Sequence, residues 1–357
     1  MTMKLHRRCP RSSAGALLSV IAGGRAVVLA TVMVAGSALL TACGGSGADG
    51  PDAVITVGVA GNVFDVPLRV ADAEGYFGKR GLKVDFVEVT AATGMPALES
   101  GSLQFLNSSP TNFLGGLARG LPVVAVGVDG LGNPLGLVVG DEFAERHGLT
   151  AGSPLDEVAE ELRGSTGGYS SANTKAEAGI FLKAWEVGPE EVRWVSLPSP
   201  SADEAALDNG RIDWFLTSEP LPLQIQHSGG GVVVADSGKV VEWSSGYAGY
   251  GQVVVADRSY AGQHASTVRS FMAAVQDGAG YLAAHMDDPS VVAVAGKALP
   301  GVPAPVVRAS IEEAEYPIFA DMSAHDWRVT LRFVDDLGGL PEGAGITADG
   351  WTNTYLR

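Results

Sequence analysis

The chain has 357 residues and carries 40 acidic against 24 basic side chains, a formal charge of −16 at pH 7. That balance repels phosphate backbones and excludes nucleic acid as a partner. The length suffices for two domains with cores of their own, and both cysteines, Cys9 and Cys43, fall near the N-terminus, so the body has no thiol for a disulfide, a cysteine metal site or a cysteine nucleophile.

The N-terminal stretch reads as an address. Lys4, Arg7, Arg8, Arg11 and Arg25 form a basic leader without an acid, and the apolar run from Ala26 to Leu40 falls short of a bilayer span. It ends in Leu40-Thr41-Ala42-Cys43, followed by Gly44-Gly45-Ser46-Gly47. A small residue before a cysteine admits a signal peptidase, and the thiol can take a diacylglyceryl group; the segment resembles a bacterial lipobox. Residues 1–42 are therefore expected to be a signal peptide, Cys43 the lipid-attachment residue and residues 43–53 a flexible tether. The acyl chains would hold the body on the extracytoplasmic face of the cell membrane.

From Val54 onward, strand and helix patterns alternate. Val54–Val59 reads as a buried strand, Pro67 opens a helix to Gly75 with Asp65 as a capping candidate, and Leu82–Val89 alternates as a half-buried strand does. Thr93 opens a short helix through Leu98, Gln104–Leu106 is a strand, Ser109 caps a helix with Pro110 in its first position, and Leu121–Val128 is an apolar strand. The rhythm resumes with a helix from Pro154 to Leu162, a strand Ser165–Tyr169, a long helix over about Ser171–Val187 and a strand Val192–Leu197. A helix Ala202–Leu207 and strands Ile212–Leu216 and Gly231–Ala235 complete this block. Two apolar runs, Leu135–Val139 and Gln252–Ala256, flank it, and the chain after His264 reads as helices. Such a rhythm predicts mixed, mostly parallel sheets with helices on both faces. The bracketing predicts a discontinuous lobe 1 (54–137 and 250–357) into which lobe 2 (138–249) is inserted.

Gly58-Val59-Ala60-Gly61-Asn62 lacks the spacing of a dinucleotide loop, and no metalloprotease, serine-hydrolase or Walker-type motif occurs. Small polar residues instead follow the strands: Gly61-Asn62, Ala92-Thr93-Gly94, Asn107-Ser108-Ser109 and, in the inserted block, Tyr169-Ser170-Ser171-Ala172-Asn173-Thr174. In open α/β sheets ligands sit at the carboxyl ends of the strands, where helix starts present N–H groups. Two polar helix starts facing each other across a cleft would make a binding site, whereas each alone is explained as a cap.

The order of Ala73-Glu74-Gly75-Tyr76-Phe77, Arg80-Gly81-Leu82-Lys83-Val84, Pro96-Ala97-Leu98-Glu99-Ser100-Gly101, Gly120-Leu121-Pro122-Val123-Val124, Leu162-Arg163-Gly164 and Ala206 to Asp213 is similar to that of the ABC substrate-binding proteins for nitrate, sulfonate, taurine and thiamine-pyrimidine precursors. The resemblance spans about residues 54–340. It implies a type II, two-lobed periplasmic-binding-protein-like α/β fold. It also implies a monomer that needs no cofactor and no metal and passes a small-molecule ligand to an ABC permease and its ATPase. Ligand contacts would fall on Asn62, Thr93, Asn107, Ser108, Ser109, Tyr169, Ser171, Asn173 and Thr174, with Glu219 in a further cleft-facing loop.

One departure bears on the ligand. Where the family usually has Gly-Lys-x-x-Gly before the lobe 2 helix, this chain reads Gly164-Ser165-Thr166-Gly167-Gly168 and loses the lysine. Trp214, Trp243, Tyr247 and Tyr250 could stack on a planar ring, and Glu219 could accept hydrogen bonds from an amine or amino-heterocycle. The pattern leans from a sulfonate-type anion toward a neutral or cationic, ring-bearing, pyrimidine-like nutrient. Two other classes share these features: a ligand-binding sensor or adaptor lipoprotein without transport, and an enzyme like the pyrimidine-precursor synthases. His147, His227, His264, His285 and His325 are scattered without ligand spacing, and no catalytic residue is assigned.

Overall fold

The computed structural model describes residues 54–356; the expected signal peptide, Cys43 and the tether lie outside the described residues. Ten strands follow in chain order: β1 (Val54–Val59), β2 (Lys83–Glu88), β3 (Phe105–Ser108), β4 (Val123–Leu131), β5 (Leu135–Gly140), β6 (Thr166–Tyr169), β7 (Arg193–Ser196), β8 (Trp214–Ser218), β9 (Gly231–Asp236) and β10 (Tyr250–Asp257). They form two five-stranded sheets, ordered β2-β1-β3-β10-β4 and β7-β6-β8-β5-β9. β10 pairs antiparallel with both neighbours in the first sheet, and β5 does so in the second. The other pairings are parallel, so in each sheet one strand runs against the rest. The chain builds most of the first sheet, leaves to build the second, and returns as β10 between β3 and β4.

Sequence and packing agree on why these segments are strands. β5 and β10 are buried almost end to end, as interior strands covered on both faces must be, and β4, though at a sheet edge, is buried as fully. In lobe 1, Phe105 of β3 stacks on Phe271 (centroids 3.9 Å, planes 6° apart), and Phe271 in turn stacks on Phe77 at 5.2 Å. Phe271 belongs to the helix Ala265–Ala284, which lies against the helix Val66–Ala73 so closely that a Cβ on Gly278 would fall 2.4 Å from the Pro67 carbonyl oxygen. In lobe 2, Trp214 is wholly buried, its indole Nε1 donates to Ser165 Oγ (2.8 Å), and Trp194 meets it edge-on at 5.3 Å. Trp214 and Trp243 are therefore core residues, and the serine that stands in place of the family's lysine is itself interior.

The expected helices form at Val66–Ala73, Gly94–Glu99, Pro110–Ala118, Leu155–Leu162, Ala172–Ala184, Pro200–Asp208, Ala265–Ala284, Ala304–Glu312 and Ala324–Asp336. Pro289–Ala298 also falls in the stretch after His264 read as helices, and Asp141–His147, Leu221–Ser228 and Arg258–Gln263 add to them. The runs read as crossings, Leu135–Val139 and Gln252–Ala256, lie within β5 and β10. A boundary after residue 137 falls inside β5, which pairs along its length with β8 and β9. The passages between sheets are Gly132-Asn133-Pro134 and the segment before Tyr250. They run side by side: Gly132 N–H donates to Gly249 O and Asn133 N–H to Trp243 O, both at 2.8 Å. Gly132 (φ +61°) and Gly249 (φ +77°) are in the left-handed region that glycine enters without steric cost.

Candidate functional site

Helix starts from the two lobes meet at one cavity of about 230 Å³. On the lobe 1 side, Asn62 stands just beyond β1 in extended conformation. Its side chain accepts from Phe64 N–H (3.0 Å), while Asp65 Oδ2 accepts from Gly61 N–H (2.7 Å) and Asn62 N–H (3.1 Å). Ser109 caps the helix Pro110–Ala118 by accepting from Asn112 N–H at 3.4 Å. On the lobe 2 side, Ser171 Oγ accepts from Thr174 N–H (3.1 Å) and Thr174 Oγ1 accepts from Ser171 N–H (3.3 Å), a reciprocal capping box. Between the two, Asn173 Nδ2 donates to Thr111 Oγ1 at 3.1 Å, tying the lobes across the mouth.

Two buried glutamates dominate the electrostatics. Glu177 follows Asn173 by one helical turn, which puts both on one face; it is 7% exposed, and its Oε1 accepts from Asn133 Nδ2 at 3.2 Å. Burial pushes its pKa up to about 8. Glu219, 3% exposed, ends the β8 segment with a cis bond to Pro220, and its Oε2 accepts from Leu223 N–H at 3.4 Å. Burial again pushes the pKa to about 8, with Glu313 and Asp236 acting in the same direction and the Leu223 N–H against it. Among the described residues that line the cavity there is no Lys, Arg or His.

A second chamber of about 350 Å³ adjoins the first and shares Asn62, Ser109 and Gln252 with it. Asn107 lines it, donating through Nδ2 to Phe64 O (3.1 Å) and Asp65 Oδ1 (2.9 Å). That arrangement leaves Asn107 Oδ1 buried without a hydrogen bond, and Gln252 Nε2 is in the same state. Behind Asn107, burial raises the pKa of Asp65 despite these bonds, and burial together with the neighbouring Asp65 raises that of Asp129 well above the ordinary range.

The structure distributes the expected site residues over several places. Asn62, Ser109, Ser171, Asn173, Thr174 and Glu219 line the interlobe cavity, and Asn107 and Ser108 line the adjoining chamber. Thr93 and Tyr169 line neither. The Thr93 hydroxyl accepts from Thr90 N–H (2.9 Å) and closes its own exposed turn. Tyr169 lies edge-on to Trp194 (6.1 Å) with the Lys175 ammonium 4.9 Å above its ring. Of the aromatic residues, Tyr250 lines the cavity and Tyr247 packs edge-on against Phe333. Glu177, Asn133 and Gln252 complete the walls and were not anticipated. Among the described residues no cluster of His, Cys, Asp and Glu is arranged to hold a metal, and no helix is long and apolar enough to cross a membrane.

Three solved structures give the measure of the fold's likeness. The alkanesulfonate-binding protein SsuA from Xanthomonas axonopodis pv. citri, bound to MOPS, is 17% identical with a TM-score of 0.64, over 84% of this chain and 98% of that one. The periplasmic aliphatic sulphonate binding protein SsuA from Escherichia coli is 18% identical with a TM-score of 0.63, over 79% and 85%. The periplasmic nitrate-binding protein NrtA from Synechocystis PCC 6803 is 15% identical with a TM-score of 0.62, over 85% and 84%. The two-lobed periplasmic-binding-protein-like α/β fold expected from the sequence is the one the chain adopts. No curated protein matches the sequence. The family model described as NMT1/THI5 like matches residues 65–288, from Asp65 behind the cavity to Asp288, just past the long helix of lobe 1, and the chain belongs to that family.

Proposed function

We propose that the protein is the extracytoplasmic solute-binding component of an ABC importer, capturing a small organic molecule between its lobes and presenting it to a permease and its ATPase. The observation that carries this is the shared cavity itself. Polar helix starts from both lobes form its walls, and the Asn173–Thr111 hydrogen bond joins them, so neither lobe encloses the space alone. Sulfonate- and nitrate-binding proteins of the same fold support the reading. Asn62, Ser109, Ser171, Asn173, Thr174 and Glu219 are the proposed first contacts, with Asn107 and Ser108 reached through the adjoining chamber.

A ligand touching both lobes favours the closed form by its differential affinity for that form, and closure creates the surface a permease reads. The two sheets with their helices are the proposed moving bodies, one carrying β2-β1-β3-β10-β4 and the other β7-β6-β8-β5-β9. The protein acts as a monomeric binder rather than a catalyst, held to the membrane through lipidated Cys43 and its tether. The decisive experiment is mass spectrometry of the small molecule released when freshly purified protein is denatured, followed by X-ray scattering of the emptied and reloaded protein. A defined molecule and compaction on reloading are expected. No released molecule and an unchanged radius would refute the reading.

A further inference from the structure

Resting on that reading of the cavity, we propose that the solute is a small organic cation whose amine or amidine N–H groups seat against the cavity's buried glutamates, Glu177 or Glu219. Both carboxyls are more than nine-tenths buried, both line the cavity, and no basic side chain among its lining residues balances them. A carboxylate has about four lone-pair directions. The protein engages Glu177 Oε1 through Asn133, and Glu219 through Leu223 N–H with the Ser310 hydroxyl beside it, which leaves acceptor capacity on each group for N–H donors from a ligand. The charges around Glu219 reinforce the sign. Glu313 and Asp236 face it, and the nearby Lys239 is ion-paired to Asp236. Lys175, the closest basic residue in sequence to Glu177, lies over the Tyr169 and Trp194 rings instead of lining the cavity.

The same walls are poorly suited to an anion. A sulfonate or nitrate at paired helix starts would be held by free backbone N–H groups. Here one N–H at each start is already taken, Phe64 by Asn62, Asn112 by Ser109 and Thr174 by Ser171, and Pro110 removes another, which reduces the donors left for an anion. Ser165, in place of the family's lysine, is turned into the lobe 2 core against Trp214. A second, independent sign of a polar occupant comes from the wall between cavity and chamber. Gln252, 2% exposed and lining both spaces, has Nε2 without a partner, and Asn107, also 2% exposed, has Oδ1 without one. They offer one donor and one acceptor to the neutral part of the same molecule. Because burial leaves both glutamates protonated near neutral pH in the empty protein, each carboxylate formed on binding the cation releases one proton to solvent.

Three planar probes of one shape and different charge test this: benzamidine (cation), benzamide (neutral) and benzenesulfonate (anion). They are titrated calorimetrically into the emptied full-length protein in buffers of different ionisation enthalpy. Benzamidine is expected to bind at least about tenfold more tightly than benzamide, a difference of about 1.4 kcal/mol, with net proton release, and benzenesulfonate not at all. Glu177→Gln is expected to remove most of the benzamidine preference over benzamide and to reduce proton release. Glu219→Gln gives the same readout should the first variant fail to fold. Tighter binding of benzamide or benzenesulfonate, a benzamidine preference that both variants retain, or release of an anionic or neutral molecule from fresh protein would overturn the cation assignment and leave solute binding standing. If none of the probes binds and nothing is released, the solute-binding reading falls with it.

Discussion

Glu177→Gln should change stability in a way that depends on pH, because it removes a buried ionisable group and keeps its shape. An ordinary glutamate titrates near 4.5, and burial raises this one to about 8. Between those values the folded chain holds a proton that the unfolded chain has released, so the wild-type protein loses stability as pH rises through that window and levels off above it. Each pKa unit corresponds to about 1.36 kcal/mol, which sets a ceiling of about 5 kcal/mol for the full shift. At the effective dielectric of about 20 that suits protein sites, about 2 kcal/mol is expected between pH 5.5 and 8.5. Glutamine carries no such dependence. The variant should therefore gain on the wild type by about 2 kcal/mol across that range, or about 4–8 °C in melting temperature at roughly 2–4 °C per kcal/mol. Thermal unfolding of the emptied protein followed by near-UV circular dichroism at half-unit pH steps would measure the gap. Parallel curves for the two proteins from pH 5.5 to 8.5 would refute the burial argument.

Asn173→Ala removes the donor that joins the lobes at Thr111, so the emptied variant should show a larger radius of gyration by X-ray scattering and bind its solute more weakly, by about 1 kcal/mol for a neutral hydrogen bond. Gly278→Val forces a side chain into the carbonyl of Pro67, and denaturant titration should register a loss of about 1–3 kcal/mol from overpacking. Cys43→Ala should shift the protein from the membrane fraction to the soluble fraction and abolish incorporation of labelled fatty acid. The released solute, incubated for hours with the protein and recovered, should be chemically unchanged.

What was legible in the sequence was local. β1 spans Val54–Val59 as read, and Ser109 with Pro110 and Ser171 with Thr174 announced the two helix starts through hydroxyl, proline and spacing. The short helix Asp141–His147 was missed because it follows β5 without a break and two turns give too little periodicity to detect. Glu177 was missed for a different reason. A mid-helix acid ordinarily faces water, and only packing from another part of the chain buries this one: Phe333 and Leu337 line the same cavity. Its distance of four residues from Asn173 was the available signal. Gln252 carried one too, as a polar residue in an otherwise apolar strand. Thr93 and Tyr169 show the converse: polar residues in loops of the expected kind whose groups are engaged locally, by Thr90 and by Trp194 with Lys175.

The paired passages between the sheets constrain how the molecule can move. Since Gly132 is hydrogen-bonded to Gly249 and Asn133 to Trp243, the two connecting segments are laced into one narrow ribbon. Twisting one while leaving the other in place would break those bonds, so the inexpensive motion is a single door-like swing with few independent directions. The strands that leave the ribbon, β5 and β10, sit in the interior of their sheets rather than at an edge. The strands that lead into it, β4 and β9, are edge strands, so the ribbon grips each sheet at one interior and one edge strand.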